Sequence, residues 1–435
     1  MFLWGTATAA YQIEGAAGED GRAPSIWDTF SHEPGRTRDG HTGDVACDHY
    51  HRWPEDVALM SELGVDAYRF SISWPRVQPA GTGAVNPKGL DFYERLVDGL
   101  LAAGIAPVPT LFHWDLPQAA QERGGWLNRD TAHHFAEYAA LVAERLADRV
   151  PMWITLNEPF VHMAFGHAMG IHAPGQALML DALPVAHHQL LGHGLAVAAL
   201  RAAGAGQVLI TNNCTPVRPA SDSDEDVAAA EAYDILHNRL FNDPVLLATY
   251  PDLSPYGDLT LDFVRDGDLA TIAAPLDGLG VNYYNPTRIA APTEAGGLPF
   301  TDAGITGHPT TAFGWPVVPD GLRELLTGLR DRYGQALPPV YVTENGCSQT
   351  DVPGPDGTID DQARIAFLDE HIQAVMRAQR EGVDVRGYFV WSLLDNFEWA
   401  EGYHQRFGLV HVDFETLRRT PKASYAWLKS FLAAR

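Results

Sequence analysis

Cysteine is scarce in this chain of 435 residues. The three cysteines, Cys47, Cys214 and Cys347, are an odd number without paired spacing, which argues against a disulfide framework and favours free thiols in a reducing compartment. The segment from Met1 lacks a basic stretch with a long apolar core, and no window approaches about 18 uncharged apolar residues. We therefore predict a soluble, cytoplasmic protein that does not bind a membrane.

Basic residues are also in short supply. Lys and Arg number 30 against 55 Asp and Glu, which gives a formal net charge of −25. Such a surface repels phosphate backbones, so we expect no nucleic-acid partner. The chain is 46% hydrophobic and 20% charged, which is enough apolar material for a large core. Eleven Trp and fifteen Tyr are available to stack on sugar rings, although large cores use aromatic residues too.

A glycine-rich phosphate turn is missing after the first apolar run, which argues against a doubly wound nucleotide-binding sheet. Short apolar runs instead alternate with amphipathic stretches, as in a parallel sheet covered by helices. The predicted strands are Leu3 to Ala10, Asp66 to Ser73, Ile105 to Phe112, Pro151 to Asn157, Gln207 to Thr211, Leu279 to Val281, Pro339 to Glu344 and Val385 to Val390. The predicted helices are Pro54 to Leu63, Leu90 to Ala103, Asp130 to Asp148, Val185 to Ala203, Asp224 to His237, Gly321 to Tyr333, Asp360 to Glu381 and Lys422 to Ala433.

Eight strand-then-helix units predict an α/β fold, a single (β/α)8 TIM barrel with long βα loops. We expect residues 1–435 to form one catalytic domain, because barrels of this length need no second domain. The polar runs Ser221–Asp226 and Ala291–Thr311 are predicted to be loop excursions on the face that carries the site.

Two glutamates end strand-like runs in the same way. Glu344 closes one run before the turn pair Asn345-Gly346, and Glu158 follows another run before Pro159. In a barrel the C-terminal strand ends build the active site. Reading all of these ends gives a ring of polar and aromatic side chains: Gln12, Arg69, His113, Asn157, Glu158, Asn282, Tyr284, Glu344 and Trp391. Such a lining suits a sugar, because each hydroxyl removed from water needs a partner.

Two carboxyl groups that flank a scissile bond are the requirement for glycoside hydrolysis. We expect Arg69 and the Tyr284 hydroxyl to keep Glu344 anionic, as a nucleophile must be. Glu158 has no basic neighbour in sequence, so we expect a raised pKa and a proton-donor role. A purely structural Arg69, paired with a carboxylate, is the alternative reading.

Five segments resemble glycoside hydrolase family 1, the β-glucosidase family, in the family's order between Trp4 and Pro421. They are WGTATAAYQIEG at 4–15, YRFSISWPR at 68–76, TLNEP at 155–159, YVTENG at 341–346 and WSLLDNFEW at 391–399. The resemblance implies a retaining mechanism on a (β/α)8 barrel, without a cofactor, in which Glu344 is the nucleophile and Glu158 the acid and then the base. Retention requires carboxyl groups about 5–5.5 Å apart.

The resemblance also implies contacts to the sugar ring. Gln12, His113 and Trp399 match positions that hold the 3- and 4-hydroxyls, Asn157 matches the contact to the 2-hydroxyl, and Trp391 lies under the ring. Glu398 matches the residue that binds the 4- and 6-hydroxyls, and its carboxylate would repel a 6-phosphate. The glutamate at 158, where plant thioglucosidases carry Gln, indicates O-glycosides.

We therefore predict a retaining β-glycosidase, a β-glucosidase, that hydrolyses terminal non-reducing unphosphorylated β-D-glucosyl residues of small glycosides or oligosaccharides. Three alternatives stay open at this point: a non-catalytic sugar-binding barrel, a metal-dependent barrel hydrolase and a transglycosylase. We expect no metal site, because His32, His41, His49 and His51 show no ligand spacing. The pattern does not choose an aglycone, a preference among glucose, galactose and fucose, or an oligomeric state.

Overall fold

A computed structural model describes residues 2–294 and 297–435. Eight parallel strands close a barrel in the order β1-β8-β7-β6-β5-β4-β3-β2, so the predicted fold is confirmed. The strands are β1 Leu3–Ala7, β2 Ala67–Ser71, β3 Ala106–Phe112, β4 Met152–Asn157, β5 Gln207–Asn213, β6 Gly278–Asn282, β7 Val340–Asn345 and β8 Val385–Trp391. Each lies within two residues of a predicted strand at both ends, except β1, which is shorter.

Helices follow the strands and cover the outside of the barrel. The main ones are α1 His49–Leu63, α2 Pro87–Ala102, α3 Asp130–Leu146, α4 Leu183–Ala202, α5 Asp224–Asp234, α6 Pro319–Tyr333, α7 Gln362–Arg380 and α8 Ala423–Ala433. Shorter helical segments are Ala10–Ile13, Ile26–His32, Arg38–Gly40, Trp74–Val77, Gln118–Gln121, Gly125–Leu127, Pro159–Val161, His162–Ala168, Met179–Ala182, Ile235–Arg239, Leu240–Leu247, Ser254–Tyr256, Asp268–Ile272, Gly334–Ala336 and Trp399–Glu401. In the part of the chain that the structure describes, no helix is both long and apolar enough to cross a membrane.

Helix α1 shows how a proline misleads a boundary prediction. The sequence predicts a start at Pro54 because the acidic residues Glu55 and Asp56 suit a helix N-terminus, and proline is itself favoured in the first turn. The helix begins at His49 and continues through Pro54, which lacks the N–H that would bond to the carbonyl of Tyr50. The left-handed Asp48 precedes the helix and the left-handed Gly64 ends it.

The predicted loop excursions contain regular structure. Val217–Pro219, Thr287–Ala290 and Thr301–Asp302 form a small three-stranded sheet, and Val410–Val412 pairs with Arg419–Pro421 elsewhere. The run Ser221–Asp226 enters helix α5, whose N-cap Ser223 accepts a hydrogen bond from the Asp226 N–H. In the run Ala291–Thr311, residues 295 and 296 lie outside the described residues. Sequence alone missed this sheet because its strands are short and far apart in the chain.

Gly346 allows the end of β7 to approach the end of β8. A Cβ at this position would lie 1.7 Å from the carbonyl oxygen of Trp391. We expect Gly346→Ala to lower the free energy of unfolding by about 1–3 kcal/mol, because the backbone must move to admit the methyl group. Urea unfolding followed by tryptophan fluorescence measures this change.

Gly328 in helix α6 provides the matched control, since a Cβ there would meet nothing within 4 Å. We expect Gly328→Ala to raise the free energy of unfolding by roughly 0.5–1 kcal/mol, the usual advantage of alanine over glycine inside a helix. Equal effects of the two substitutions would contradict the steric explanation of Gly346.

Candidate active site

A cavity of about 610 Å³ opens at the C-terminal end of the barrel. Its walls come from the strand ends and the loops that follow them, as expected for this fold. The described lining residues are His113, Trp114, Glu158, Phe160, Val161, Phe165, Ile171, His172, Asn213, Cys214, Thr215, Tyr233, His237, Tyr284, Asn285, Thr287, Phe313, Trp315, Glu344, Trp391, Glu398, Trp399, Ala400, Glu401 and Phe407. The two strand-end glutamates are thus brought to one cavity.

Glu344 stands at the end of β7, where its carboxylate is buried and has two donors. Arg69 Nη1 donates to Oε1 at 2.5 Å, and the Tyr284 hydroxyl donates to Oε2 at 2.8 Å. Burial raises the pKa of Glu344, while Arg69 and Tyr284 both act to lower it. Both donors that the sequence analysis proposed for this carboxylate therefore contact it, and both favour its anionic form.

Glu158 directly follows β4 and has a different environment. Its Oε1 accepts hydrogen bonds from Asn213 Nδ2 at 2.9 Å and from Asn282 Nδ2 at 2.8 Å. Within the described residues, Oε2 accepts no hydrogen bond from the protein. Burial, followed by the charge of Glu344, raises the pKa of Glu158 to about 8. This carboxyl group therefore keeps its proton at neutral pH.

Arg69 links the two strand ends that carry the glutamates. Besides its contact with Glu344, the guanidinium donates to Asn157 Oδ1 at 2.6 Å, to the Thr343 carbonyl at 3.1 Å and to Thr110 Oγ1 at 3.2 Å. The residue is buried inside the barrel. A guanidinium with this many partners is fixed in position, so it supplies a positive charge at one side of Glu344 and also holds the framework together.

Gln12 and His113 each present a polar atom without a partner. Gln12 Nε2 donates to Asn396 Oδ1 at 3.1 Å, to the Phe397 carbonyl at 2.9 Å and to Glu398 Oε2 at 3.3 Å, whereas its Oε1 has no partner among the described residues. His113 Nε2 accepts from Asn157 Nδ2 at 3.0 Å, which leaves an unpartnered proton on Nδ1. Buried groups of this kind need hydrogen bonds, and ligand hydroxyls can supply them.

Tryptophan forms one wall of the cavity. The Trp399 ring lies 4.6 Å from that of Trp114 and 4.7 Å from that of Trp27. The His113 imidazole is tilted by only 22° from both Trp391 and Trp399, at centroid distances of 5.9 and 5.8 Å. Trp114, Trp391 and Trp399 line the cavity, and Trp27 packs behind Trp399 in the core. Aromatic side chains in the lining suit the C–H face of a sugar ring.

Comparison with known proteins places this arrangement in a family. The family model for glycosyl hydrolase family 1 matches residues 1–435. The chain belongs to glycosyl hydrolase family 1. The resemblance inferred from the sequence motifs is therefore confirmed, and the chain is a glycoside hydrolase.

Individual relatives of this family 1 chain are similar over nearly their whole length. Beta-glucosidase A of Acetivibrio thermocellus is 47% identical over 99% of this chain and 97% of its own. Thermostable beta-glucosidase B of Thermobispora bispora is 50% identical over 98% of this chain and 89% of its own. The solved family 1 b-glucosidase from Thermotoga maritima in complex with isofagomine lactam is 45% identical, with a TM-score of 0.94 over 99% of this chain and 97% of that one.

Glu398 is the third carboxyl group in the cavity of this family 1 enzyme. Burial, followed by the charge of Glu344, raises its pKa to about 8. A carboxyl group with this pKa is mostly protonated at neutral pH, which weakens the charge repulsion that the sequence predicts for Glu398. A 6-phosphate would still be disfavoured, since the described cavity lining contains no lysine or arginine to neutralise it.

The family 1 cavity also contains residues that sequence reasoning missed. Asn213 contacts Glu158 from the end of β5, whereas the predicted strand stopped at Thr211. Its partner His237 comes from a π-helical turn after α5, where no sequence signal marked it. The outer wall contains Phe165, His172, Phe313 and Trp315. The last three lie in the loops Gly166–Gln176 and Ala291–Trp315, which the sequence places beside a second sugar, whereas Phe165 was not singled out. The signal for Asn213 was the pair Asn212-Asn213 at the end of the predicted strand, which was not included among the site residues.

One cluster of metal-binding residue types lies on the rim of this enzyme. Ligand atoms of Asp39, His41 and His404 lie within 4.8 Å of one another, and the cluster is largely exposed. His41 Nδ1 accepts the N–H of Tyr403 at 3.1 Å, so its Nε2 carries the proton. In this arrangement His41 has no free lone pair for a metal ion.

Proposed function

We propose that this glycoside hydrolase is a retaining β-glucosidase that removes terminal, non-reducing, unphosphorylated β-D-glucosyl residues. The observation that carries the proposal is the contrast between two buried glutamates in one cavity. Glu344 accepts a hydrogen bond from the Arg69 guanidinium, whereas the side chain of Glu158 accepts hydrogen bonds from two neutral amides and, within the described residues, from no cation. An anionic nucleophile and a protonated acid are the two groups that a retaining glycosidase needs.

In the first step, Glu344 attacks the anomeric carbon while Glu158 gives its proton to the glycosidic oxygen. The C1–O bond to the aglycone breaks, a C1–O bond to Glu344 forms with inversion, and the aglycone leaves as an alcohol. Oε2 of Glu158 is the oxygen that delivers the proton, since both amide bonds fall on Oε1. Retention places the two carboxyl groups about 5–5.5 Å apart.

In the second step, Glu158 takes a proton from water as the water oxygen attacks C1. This second inversion releases Glu344 and gives net retention. The negative charge of Glu344 is one cause of the raised pKa of Glu158. Formation of the glycosyl ester removes this charge. The pKa of Glu158 therefore falls in the intermediate, which makes the same residue a better base at the stage when a base is needed.

The remaining site residues hold the sugar. Gln12 Oε1 and the Nδ1 proton of His113 are free to bond hydroxyls, and Glu398 and Trp399 adjoin them. Trp391 supplies a ring face beneath the sugar. Asn157 is committed to Arg69, His113 and Asn282, so its contact to the 2-hydroxyl is made from a fixed position. Such hydroxyl contacts supply binding energy for the transition state.

The names of the relatives support glucose as the sugar that the enzyme removes. Several curated relatives at 46–50% identity are named beta-glucosidases. The Thermotoga maritima enzyme has been solved in complex with glucoimidazole and with deoxynojirimycin. We extend this chemistry to the present cavity because the relatives cover nearly the whole chain. A bifunctional beta-D-glucosidase/beta-D-fucosidase at 48% identity supports testing fucosides as well.

Three further properties of the protein are proposed: its domain organisation, its location and its class of partner. All of the chain forms one catalytic domain, a proposal supported by the pairing of β1 with β8, which closes the barrel between residues near the two ends of the chain. The protein works in the reducing cytoplasm, a proposal supported by three buried free cysteines. Its partners are small glycosides or oligosaccharides, and neither nucleic acid nor a membrane takes part.

A substrate panel tests the proposed function. We expect kcat/KM to be highest for p-nitrophenyl β-glucoside or β-fucoside, lower for the β-galactoside, and at least about 100-fold lower for the 6-phospho-β-glucoside, whose charge would be buried without a cation. The neutral isostere Glu398→Gln should leave the ratio of phosphorylated to unphosphorylated substrate nearly unchanged, because Glu398 already holds its proton. Equal turnover of the phosphorylated sugar would contradict the specificity, and no turnover of any member would contradict the activity.

A further inference from the structure

A chain of hydrogen bonds leads from Glu158 to residues that the catalytic steps above do not use. Asn213 Nδ2 donates to Glu158 Oε1 at 2.9 Å. Asn213 Oδ1 lies 2.9 Å from His237 Nε2, and His237 Nδ1 lies 3.1 Å from the Tyr233 hydroxyl. Glu158, Asn213, His237 and Tyr233, which we call the amide relay, all line the cavity.

With Asn213 Nδ2 toward Glu158, as the structure places it, one assignment of protons satisfies the rest of the amide relay. Asn213 uses its Nδ2 toward Glu158, so its Oδ1 must accept from His237. His237 Nε2 must then carry the proton, and Nδ1 accepts from the Tyr233 hydroxyl. Burial lowers the pKa of His237 to about 3, so the ring is neutral and has a single N–H.

The fold holds His237 rigidly behind Asn213. The residue lies in the π-helical turn Ile235–Arg239, which continues helix α5. Such turns widen a helix locally and are frequent at functional sites. The imidazole stacks on Phe160 at a centroid distance of 3.9 Å and an angle of 27°. Stacking fixes the ring plane and hydrogen bonding fixes the tautomer.

The other amide donor to Glu158 is held in a comparable way. Asn282 Nδ2 donates to Glu158 Oε1, and Asn282 Oδ1 accepts from Thr343 Oγ1 at 2.8 Å. The oxygen of each amide thus accepts a hydrogen bond from a donor on the side away from Glu158, which opposes rotation of the amide group by 180°. If either amide turned over, an oxygen would face the carboxyl group and attract its proton.

We propose that His237 is a positioning residue that orients the Asn213 amide, so that an N–H faces Glu158 and the acid proton stays on Oε2, toward the leaving group. The inference rests on the proposed function, since it assigns the proton that Glu158 transfers. It predicts that His237 acts on leaving-group protonation and not on the binding of the glucosyl ring.

The effect on pH dependence has a definite sign. An N–H bond to a carboxylate favours the charged form, so loss of the Asn213 bond raises the pKa of Glu158. The acid form is the active one, and the basic limb of kcat/KM then moves to higher pH. The other titratable groups that face Glu158 are Glu344, Arg69, Glu398, Tyr284 and Cys214, and the substitutions below leave them in place.

The test compares phenyl β-glucoside, whose leaving group needs a proton, with 2,4-dinitrophenyl β-glucoside, whose leaving group does not. For His237→Phe we expect the basic limb to rise by roughly half a pH unit or more. We also expect the phenyl-to-dinitrophenyl ratio of kcat/KM to fall about 10-fold, a part of what a general acid contributes. His237→Gln can still donate an N–H to Asn213 and should restore both quantities toward the parent values.

His371→Phe is the matched control. Like His237, His371 is buried, has a pKa that burial lowers, and stacks on a phenylalanine, Phe367, at a centroid distance of 3.8 Å and an angle of 22°. Unlike His237, it lies in helix α7. Its one hydrogen bond in the described part of the chain is to the Phe367 carbonyl. We expect neither the limb nor the ratio to move in this variant. If the basic limb and the substrate ratio changed equally in both variants, the loss of a buried histidine would act through stability alone, and the inference about His237 would be overturned.

An unmoved limb, or an equal loss for both substrates, in folded His237→Phe would overturn the inference. If that variant does not fold, Tyr233→Phe replaces it, since it removes the donor to Nδ1 and should shift the limb in the same direction by less. An unmoved limb in Tyr233→Phe would then overturn the inference. Failure of the proposed function has a different outcome, because the parent enzyme itself would then not hydrolyse phenyl β-glucoside.

Discussion

Replacing Glu344 with glycine is expected to lower kcat for p-nitrophenyl β-glucoside by roughly 10⁶-fold, the size of loss that follows removal of a covalent nucleophile. The fold should persist, because Arg69 keeps Asn157, Thr343 and Thr110 as partners. The variant should nevertheless be less stable, since a buried guanidinium loses its counter-charge. Steady-state kinetics and the circular dichroism spectrum measure the two effects.

Azide distinguishes a lost nucleophile from a damaged site. In Glu344→Gly the small anion can enter the vacated space beside Arg69 and attack C1 from the α face. We expect azide to restore cleavage and to give the α-glucosyl azide. Glu344→Gln is the control, because its side chain fills the space and should not be rescued. Full activity of Glu344→Gly without an added nucleophile would refute the assignment.

Replacing Glu158 with alanine is expected to have an effect that depends on the leaving group. Phenyl β-glucoside should lose roughly 10³–10⁴-fold in kcat/KM, near the upper range of general acid catalysis. For 2,4-dinitrophenyl β-glucoside, kcat/KM should change little, because that leaving group departs without a proton. Its kcat should fall, since no base remains to activate water and the glycosyl-enzyme accumulates. A burst of dinitrophenol followed by slow turnover would report this accumulation.

The pH profile and azide provide independent checks on Glu158. In the parent enzyme, activity should be lost as pH rises through about 8, where Glu158 gives up its proton. Glu158→Ala should lack this limb. Azide should speed its turnover and give the β-glucosyl azide, because the anion attacks the glycosyl-enzyme from the face that Glu158 occupied. An equal loss for both leaving groups would rule out the acid role.

The barrel was predictable because its strands are short, largely apolar runs that alternate with helical stretches and end in or next to a polar residue. Strand ends share one edge of a parallel barrel, which is why Glu158, Glu344 and Arg69 could be expected together. Asn213 followed the same rule, since the pair Asn212-Asn213 ends the predicted β5, but it was not included among the site residues.

Other features depended on the folded chain. His237 reaches Asn213 through a π-helical turn, and no residue near it in sequence indicates that partner. The protonation of Glu398 follows from burial beside Glu344, which is 54 residues away in the chain by subtraction of the residue numbers. A residue type predicts a charge in water, and burial among other carboxyl groups changes that charge. Long-range contacts of this kind cannot be inferred from local patterns.

The closure of the barrel has a consequence for how the protein is made. Leu3 pairs with Gly387, and Gln12 donates to Glu398 across 386 positions of the chain. Strand β1 therefore emerges from the ribosome long before β8 has been made. The edge of β1 that pairs with β8 stays unpaired during nearly all of the remaining synthesis. Contacts of such high sequence separation form slowly, and unpaired strand edges invite aggregation meanwhile. The contact between Gln12 and Glu398 in the sugar-binding part of the pocket can therefore form only after most of the chain has been made.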